Sequence, residues 1–351
     1  MTATFLKSIL GTARSPRIMA VFFLASTILP TNLQAVVDED FIEISPELMA
    51  ATQKGLEHLA SIQAEDGSYG GPRYRRHVGI TALVCMAFMA DGHLPQRGRY
   101  GEHIQRGLGF ILAHSQESGL IAADTSHGPM YGHGFATLML AEIYGQTPLP
   151  RVREALAKAI QLIIASQNHE GGWRYHPVPE QADLSVTVCQ IMALRAARNA
   201  GIYVPQPTIG RAITYVRRCQ NPADGGFRYM ISSGGSAFPR SAGAIASLYY
   251  AGAYDDKNLA QGLAYLFAQR QPYTGRAGGH FFYGHYYAAQ AMYLAGKQYW
   301  NDWFPWIRKQ LLDRQERTGK WIGQSHGDAY ATAMALLILQ MPNRLLPIFQ
   351  R

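Results

Sequence analysis

Two kinds of apolar helical segment alternate along the chain. In segments such as 152–167, charged residues occupy one face and apolar residues the other, which is typical of a helix lying between solvent and a core. In segments such as 80–90 and 332–339, charged residues are nearly absent, which indicates burial on most sides. We therefore predict an all-α protein with an outer and an inner layer of helices.

A turn motif joins each predicted outer helix to the inner helix that follows. Its clearest copy is residues 158–173, in which the helix ends at Gln167 and two glycines and a tryptophan follow. Copies recur about every 50 residues, a period that with two helices per unit is typical of a helical array. Their helix-terminal residues are Gln63, Gln116, Gln167, Gln220, Arg270 and Gln315, with the second and fifth copies degenerate.

Six outer and six inner helices can bury one continuous core by closing into a double ring. We therefore predict an α6/α6 toroid that forms a single domain over residues 46–351. An open solenoid is the alternative, but it requires polar capping repeats, and the last inner segment is strongly apolar. We expect the turn glutamine to fold back onto free carbonyls of its own helix, and the aromatic residue to pack against the next unit.

The first 35 residues differ from the rest of the chain. Lys7, Arg14 and Arg17 precede a largely apolar run at 18–29, and Ala35 follows after a few polar residues. This pattern is typical of a secretory signal peptide, because the run is too short to cross about 30 Å of hydrocarbon. We expect export to the periplasm or the exterior, an acidic lead-in at 36–45, and no membrane span once the signal is removed. An uncleaved anchor is the alternative.

Charge and cysteine usage exclude several classes of function. The formal net charge is +8, and removal of the three basic residues of residues 1–35 leaves 8 − 3 = +5. Basic residues are scattered rather than aligned, so we expect no nucleic-acid partner. The cysteines Cys85, Cys189 and Cys219 are odd in number and form no CxxC pair, which does not support a disulfide framework.

The repeated motif resembles one that is known from isoprenoid enzymes. A basic residue, Gly or Ala, an aromatic, an aliphatic and then Gln-x-x-x-Gly-x-Trp is similar to the glutamine–tryptophan motif of squalene–hopene and oxidosqualene cyclases, whose superfamily includes the protein prenyltransferase β subunits. The chain looks most like single-toroid bacterial proteins with prenyltransferase and squalene-oxidase-type repeats. The resemblance covers residues 46–345 and implies a central cavity whose mouth is lined by loops leading into the inner helices.

The catalytic motifs of that superfamily are incomplete in this chain. The resemblance implies a D-x-D-D-T acid at the start of an inner helix, but residues 183–187 keep only one of its three aspartates, Asp183. It also implies a Zn²⁺ site built on Asp-x-Cys, and no such pair occurs. Zinc therefore needs other ligands, and His285, His326 and Asp328 are the candidates.

Polar and aromatic residues concentrate where the predicted inner helices begin, so we expect them to meet at one end of the toroid. Asp183 and Asp328 are the candidate catalytic acids, although each also fits a helix N-cap. The stretch 280–287 is dense in aromatic residues and histidines and faces either the cavity or the packing between helices. The candidate substrate-binding residues are His77, His127, Tyr131, His133, Phe282, Tyr283, Tyr286 and Tyr287.

Three functional hypotheses follow. The first is an exported enzyme, related to the cyclases and prenyltransferases, that acts on an isoprenoid or other bulky apolar substrate. The alternative is a non-catalytic toroid that binds a lipid, a peptide or a partner, with at most peripheral membrane contact. The third is a polysaccharide-active α/α barrel, which requires paired carboxylates in the mouth.

Overall fold

A computed structural model describes residues 44–125, 127–254, 257–270, 280–323 and 325–350. The predicted signal peptide at 1–35 and nearly all of the acidic lead-in at 36–45 lie outside these ranges, so both stay predictions. None of the described helices is both long and apolar enough to cross a membrane.

The described residues form two sets of helices that alternate along the chain, with no strand beyond isolated bridges. The outer set is α1 (Pro46–Ser61), α3 (Gly101–Ala113), α5 (Pro150–Ala165), α7 (Gln206–Arg218), α9 (Lys257–Ala268) and α11 (Lys297–Leu312). The inner set is α2 (Val78–Met89), α4 (Met130–Gln146), α6 (Leu184–Asn199), α8 (Phe238–Tyr250), α10 (Phe281–Ala295) and α12 (Asp328–Leu339). Two 3₁₀ turns follow, Met341–Asn343 and Pro347–Phe349.

The inner helices pack side by side and close into a ring. Each contacts the next in chain order, and α12 contacts α2. The outer helices lie behind them, and α1 packs against α12 and α11 from the other end of the chain. Every residue of α2 is buried, whereas α5 buries only one face. The predicted all-α toroid is therefore confirmed, and it is closed rather than a solenoid.

The turn glutamines join neighbouring units. Gln315 donates through Nε2 to the carbonyl of Gly319 in its own turn and to the carbonyl of Ala51 in α1. Gln220 bonds its own turn and Asn258 of α9 in the same way. The prediction that the glutamine caps its own helix is therefore wrong, because each amide bridges instead to the following outer helix. Gln63 and Gln167 make the equivalent bonds to His103 and Thr208.

The glycine and the tryptophan of the turn also take part in this junction, as Gly319 and Trp321 show. Gly319 has φ +89°, and a Cβ at this position would clash with the backbone carbonyl of Lys54 in α1. Only glycine tolerates both the positive φ and the close approach. Trp321 donates from Nε1 to the carbonyl of Leu311, and its ring packs beside Gly55. The aromatic residue therefore packs against the next unit, as predicted from the sequence.

Candidate functional site

The first turns of all six inner helices meet around one pocket of about 430 Å³. The volume falls in the range of small-molecule sites. The inner helices therefore point their N-terminal, electropositive ends toward the same space. Its described lining consists of Tyr74, His77, Gly79, Ile80, Leu83, His127, Gly128, Tyr131, Phe135, Tyr175, Ser185, Tyr229, Ala237, Pro239, Arg240, His280, Tyr283, His326 and Tyr330.

His77 is held in one protonation state at the start of α2. As the helix N-cap, its Nδ1 accepts hydrogen bonds from the amides of Gly79 at 3.1 Å and Ile80 at 3.3 Å. An accepting Nδ1 leaves the proton of the neutral ring on Nε2. Burial, and secondarily the charge of nearby His326, lowers the pKa of His77 to about 4. His77 therefore faces the pocket as a neutral hydrogen-bond donor at physiological pH.

Three further histidines line the same pocket. His326 stands in the loop before α12, and its ring meets that of Tyr330 edge-on at 5.1 Å. Burial lowers the pKa of His326, and the charges of His280, Arg73 and His127 lower it further. This mutual repulsion shows that basic groups gather here without a carboxylate among the described lining residues to balance them.

Arg240 is the arginine on the described lining. Its guanidinium donates to the carbonyls of Gly235 at 2.6 Å and Phe227 at 3.3 Å. It also lies 5.8 Å from the ring centroid of Tyr229, within cation–π range. Tyr229 in turn shares a 2.6 Å hydrogen bond with Tyr175. The first turn of α8 thus presents a guanidinium group to one wall of the pocket, and the loops before α6 and α8 present two hydroxyl groups.

Asp183 lies behind this wall and does not line the pocket. It is the N-cap of α6, where its Oδ1 accepts the amide of Val186 at 3.0 Å. Burial raises the pKa of Asp183 to about 6, against the lowering effect of the Val186 amide. The structure thus accounts for Asp183 as a helix cap, and its predicted catalytic role stays a prediction.

The predicted metal ligands His285, His326 and Asp328 do not assemble into one site. Asp328 accepts hydrogen bonds from Lys320 Nζ at 2.6 Å and from the amide of Gly323 at 2.9 Å. Both oxygens of its carboxylate are therefore bonded to the loop that precedes α12. His285 is buried among the rings of Phe238 and Phe281, away from the described pocket lining. No group of three or more His, Cys, Asp or Glu able to hold a metal occurs within the described residues. The described residues therefore do not fit the zinc site that the resemblance implies.

The structure divides the predicted substrate-binding residues into two groups. His77, His127, Tyr131 and Tyr283 line the pocket, as does His326 from the predicted metal set. His133 is buried with Nδ1 accepting the amide of Ile121, which is a structural role. Phe282, Tyr286 and Tyr287 are buried core residues, and Tyr287 packs one turn below Tyr283 at 4.9 Å.

Several lining residues were not predicted from the sequence. Arg240, Tyr175, Tyr229 and Tyr330 belong to the loops or first turns that lead into α6, α8 and α12. The rule that chemistry gathers where inner helices begin covers all four. A basic residue directly after a helix-starting proline, as in Pro239-Arg240, was the available signal.

Comparison with known proteins identifies the fold and no family. No protein-family model and no curated protein matches the chain. An α-1,6-mannanase of glycoside hydrolase family 76 from Salegentibacter sp., solved with α-1,6-mannotriose, superposes with a TM-score of 0.65 at 10% identity, covering 85% of this chain and 99% of that one. The type II terpene cyclase MstE from Scytonema, solved with merosterolic acid A, superposes with a TM-score of 0.61 at 14% identity, covering 85% and 97%.

A second family 76 α-mannanase, from Bacteroides thetaiotaomicron, superposes with a TM-score of 0.56 at 11% identity, covering 84% of this chain and 94% of that one. Identities this low establish the α/α-toroid fold alone. Because the fold is shared by terpene cyclases and mannanases, function has to be argued from the site.

Proposed function

We propose that this protein is a binding toroid for an amphiphilic small molecule. The ligand places an apolar body against the aromatic and aliphatic wall and an acidic group, a carboxylate or phosphate, among the histidines and Arg240. The observation that carries the proposal is the composition of the described lining, which has four histidines, one arginine and six tyrosines but no carboxylate. Ile80, Leu83 and Phe135 supply the apolar floor.

Several features of the pocket favour an anionic group over a cationic one. Six helix N-termini, the Arg240 guanidinium and the Nε2–H of His77 all present positive charge or donors. The same features disfavour acid-catalysed chemistry of the two enzyme classes that share the fold. Glycoside hydrolysis generally requires two carboxyl groups flanking the bond, whereas here Asp183 is buried as a cap and Asp328 is paired with Lys320.

The structural neighbours lend support of two kinds. The terpene cyclase MstE is bound to merosterolic acid A, an acid, and the family 76 mannanase is bound to α-1,6-mannotriose. Tyrosine-rich walls also suit sugars, because each tyrosine offers an apolar aromatic face and a hydroxyl group that can form a hydrogen bond. An oligosaccharide ligand is therefore the second candidate.

Calorimetric titration separates these candidates. The probes are farnesoic acid, its alcohol farnesol, and α-1,6-mannotriose, each added to the wild type, Arg240→Gln and the exposed outer-helix control Arg153→Gln. We expect the acid to bind at least about tenfold more tightly than the alcohol, and Arg240→Gln to remove that preference, since a charge-assisted hydrogen bond is lost. Arg153→Gln should change nothing.

Failure of both farnesoic acid and farnesol to bind refutes the amphiphile proposal, and saturable binding of mannotriose in the same experiment selects the second candidate. We also propose that the protein acts outside the cytoplasm, on the strength of the signal-like residues 1–35. Sequencing of the mature N-terminus should then begin near Val36, and a protein retained with Met1 intact contradicts export by cleavage.

A further inference from the structure

A short segment crosses the end of the ring opposite the pocket. We name residues 341–350 the closing segment. Its Asn343 donates to the carbonyl of Ala90 at 3.2 Å, where α2 ends. Arg344 lies 5.2 Å from the ring centroid of Tyr293 in the last turns of α10, and the turn Pro347–Phe349 packs on α4 and α6. The closing segment therefore covers the C-terminal ends of the inner helices.

The closing segment is buried although it has little regular structure. Leu346, Ile348 and Phe349 are at most 2% exposed. Its two 3₁₀ turns are joined through Arg344, which has φ 54°, and through Leu345, which is 44% exposed. Segments that have few regular hydrogen bonds open locally at lower cost than packed helices. The closing segment is thus held mainly by its buried apolar side chains rather than by a long helical hydrogen-bond ladder.

Glu142 connects the closing segment to the interior of the ring. It lies on the face of α4 that also carries Tyr131 and Phe135, since the three are spaced by four and seven residues. Glu142 is 1% exposed, and its Oε2 accepts the backbone amide of Ile348 at 3.2 Å. We propose that Glu142 and the closing segment form a pH-sensitive latch, in which ionisation of Glu142 releases the segment and opens the ring opposite the pocket.

The direction of the effect follows from solvation. Burial raises the pKa of Glu142 from 4.5 to about 8, and the Ile348 amide opposes that rise only in part. In an open state the hydrated carboxyl group returns toward its ordinary pKa. Opening therefore releases a proton between these two values, and the opening equilibrium constant rises about tenfold per pH unit from about pH 5 to pH 8 before it levels off.

The other groups that face this site do not titrate in that range. Tyr250 of α8 and Tyr286 of α10 interact electrostatically with Glu142, and burial raises the pKa of each tyrosine far above neutrality. Arg195 of α6 is the charged side chain that acts on Tyr250 from the neighbouring inner helix. Glu142 is therefore the group whose ionisation can give the latch its pH dependence.

Hydrogen exchange of the full-length protein, followed by mass spectrometry between pH 5 and 9, tests the latch. Rates in a peptide covering 341–350 are corrected for the chemical exchange rate at each pH. We expect opening in the wild type to increase about tenfold per pH unit up to about pH 8. Glu142→Gln should give a flat profile, and Glu154→Gln, a control at the exposed Glu154 of α5, should follow the wild type.

Trypsin cleavage between Arg344 and Leu345, normalised to the activity of trypsin on a small substrate at each pH, gives a second readout. Glu142→Met also cannot titrate, so it replaces Glu142→Gln if that variant folds poorly. An identical pH slope in the wild type and the non-titrating variant overturns the proposal, and so does a flat profile in the wild type.

Discussion

The closure of the ring can be tested at the junction between the last unit and the first. Gln315 donates to Ala51 at 2.7 Å and to Gly319 at 2.8 Å, although Ala51 lies 264 residues earlier in the chain. Gln220 makes the same pair of bonds inside the chain, to Gly225 at 3.0 Å and Asn258 at 2.9 Å. Gln116 occupies the equivalent position of the degenerate second unit, and its side chain is exposed.

Replacement of Gln315 by alanine removes two hydrogen bonds and leaves two partly buried carbonyls without that donor. At about 1 kcal/mol net for each bond, the free energy of unfolding should fall by about 2 kcal/mol. Gln220→Ala should cost the same amount because its bonds are equivalent. Gln116→Ala should cost less than about 0.5 kcal/mol, as an exposed substitution does.

Urea denaturation, followed by tryptophan fluorescence and far-ultraviolet circular dichroism, measures these differences. The transition midpoint should shift without a change in slope, because the surface exposed on unfolding is unchanged. If Gln315→Ala behaves like Gln116→Ala while Gln220→Ala is costly, the first and last units do not bond in solution. That result would refute the closed ring and restore the open solenoid.

Three further predictions concern single positions, each measured by urea denaturation. Gly319→Ala should lower the free energy of unfolding by about 2 kcal/mol or more, because φ is positive there and the added Cβ would meet the backbone of Lys54. Gly109→Ala, in open space within α3, should raise the free energy of unfolding by up to about 1 kcal/mol. Equal effects of the two substitutions would contradict this reasoning. Asp183→Ala should lower the free energy of unfolding by about 1 kcal/mol, and Asp183→Asn should lower it much less, since asparagine keeps an oxygen that can cap α6. Equal losses in the two variants would contradict the capping role of Asp183. Native Glu142 binds more protons than the unfolded chain between its unfolded pKa of 4.5 and its folded pKa of about 8, so wild-type stability falls as pH rises through that window. The free energy of unfolding of Glu142→Gln minus that of the wild type should therefore rise by about 3 kcal/mol from pH 4 to pH 7. A difference that does not change with pH would contradict the raised pKa of Glu142.

The helices and their order could be predicted from the sequence because the signal is local and repeated. The turn glycine allows a positive backbone angle, and the turn glutamine bonds two carbonyls in four of the six copies, so the same residue types recur in those copies. The glutamine was assigned the wrong acceptors. Its second acceptor belongs to the next outer helix, and no pattern within one unit shows how two units meet.

The sequence places the candidate polar residues at the starts of the inner helices, and the structure brings only some of them to the pocket. Helix starts were known, so His77, His127 and His326 could be placed at the mouth. Tyr283 and Tyr287 are four residues apart and share one face of α10, and Tyr283 reaches the pocket from the first turn whereas Tyr287 lies one turn deeper in the core. Composition alone does not show how deep the pocket reaches along α10, because both positions carry tyrosine.

The sequence by itself determined that this protein is a ring of paired helices, since periodic burial and turn geometry act within each unit. Only the tertiary structure decided which charges meet. Arg240, in the first turn of α8, lines the pocket beside the ring of Tyr229 from the preceding loop. Glu142 meets Ile348 across 206 residues of chain and becomes a buried acid. Burial and long-range proximity set these properties, and neither is encoded in the residues that immediately surround each group.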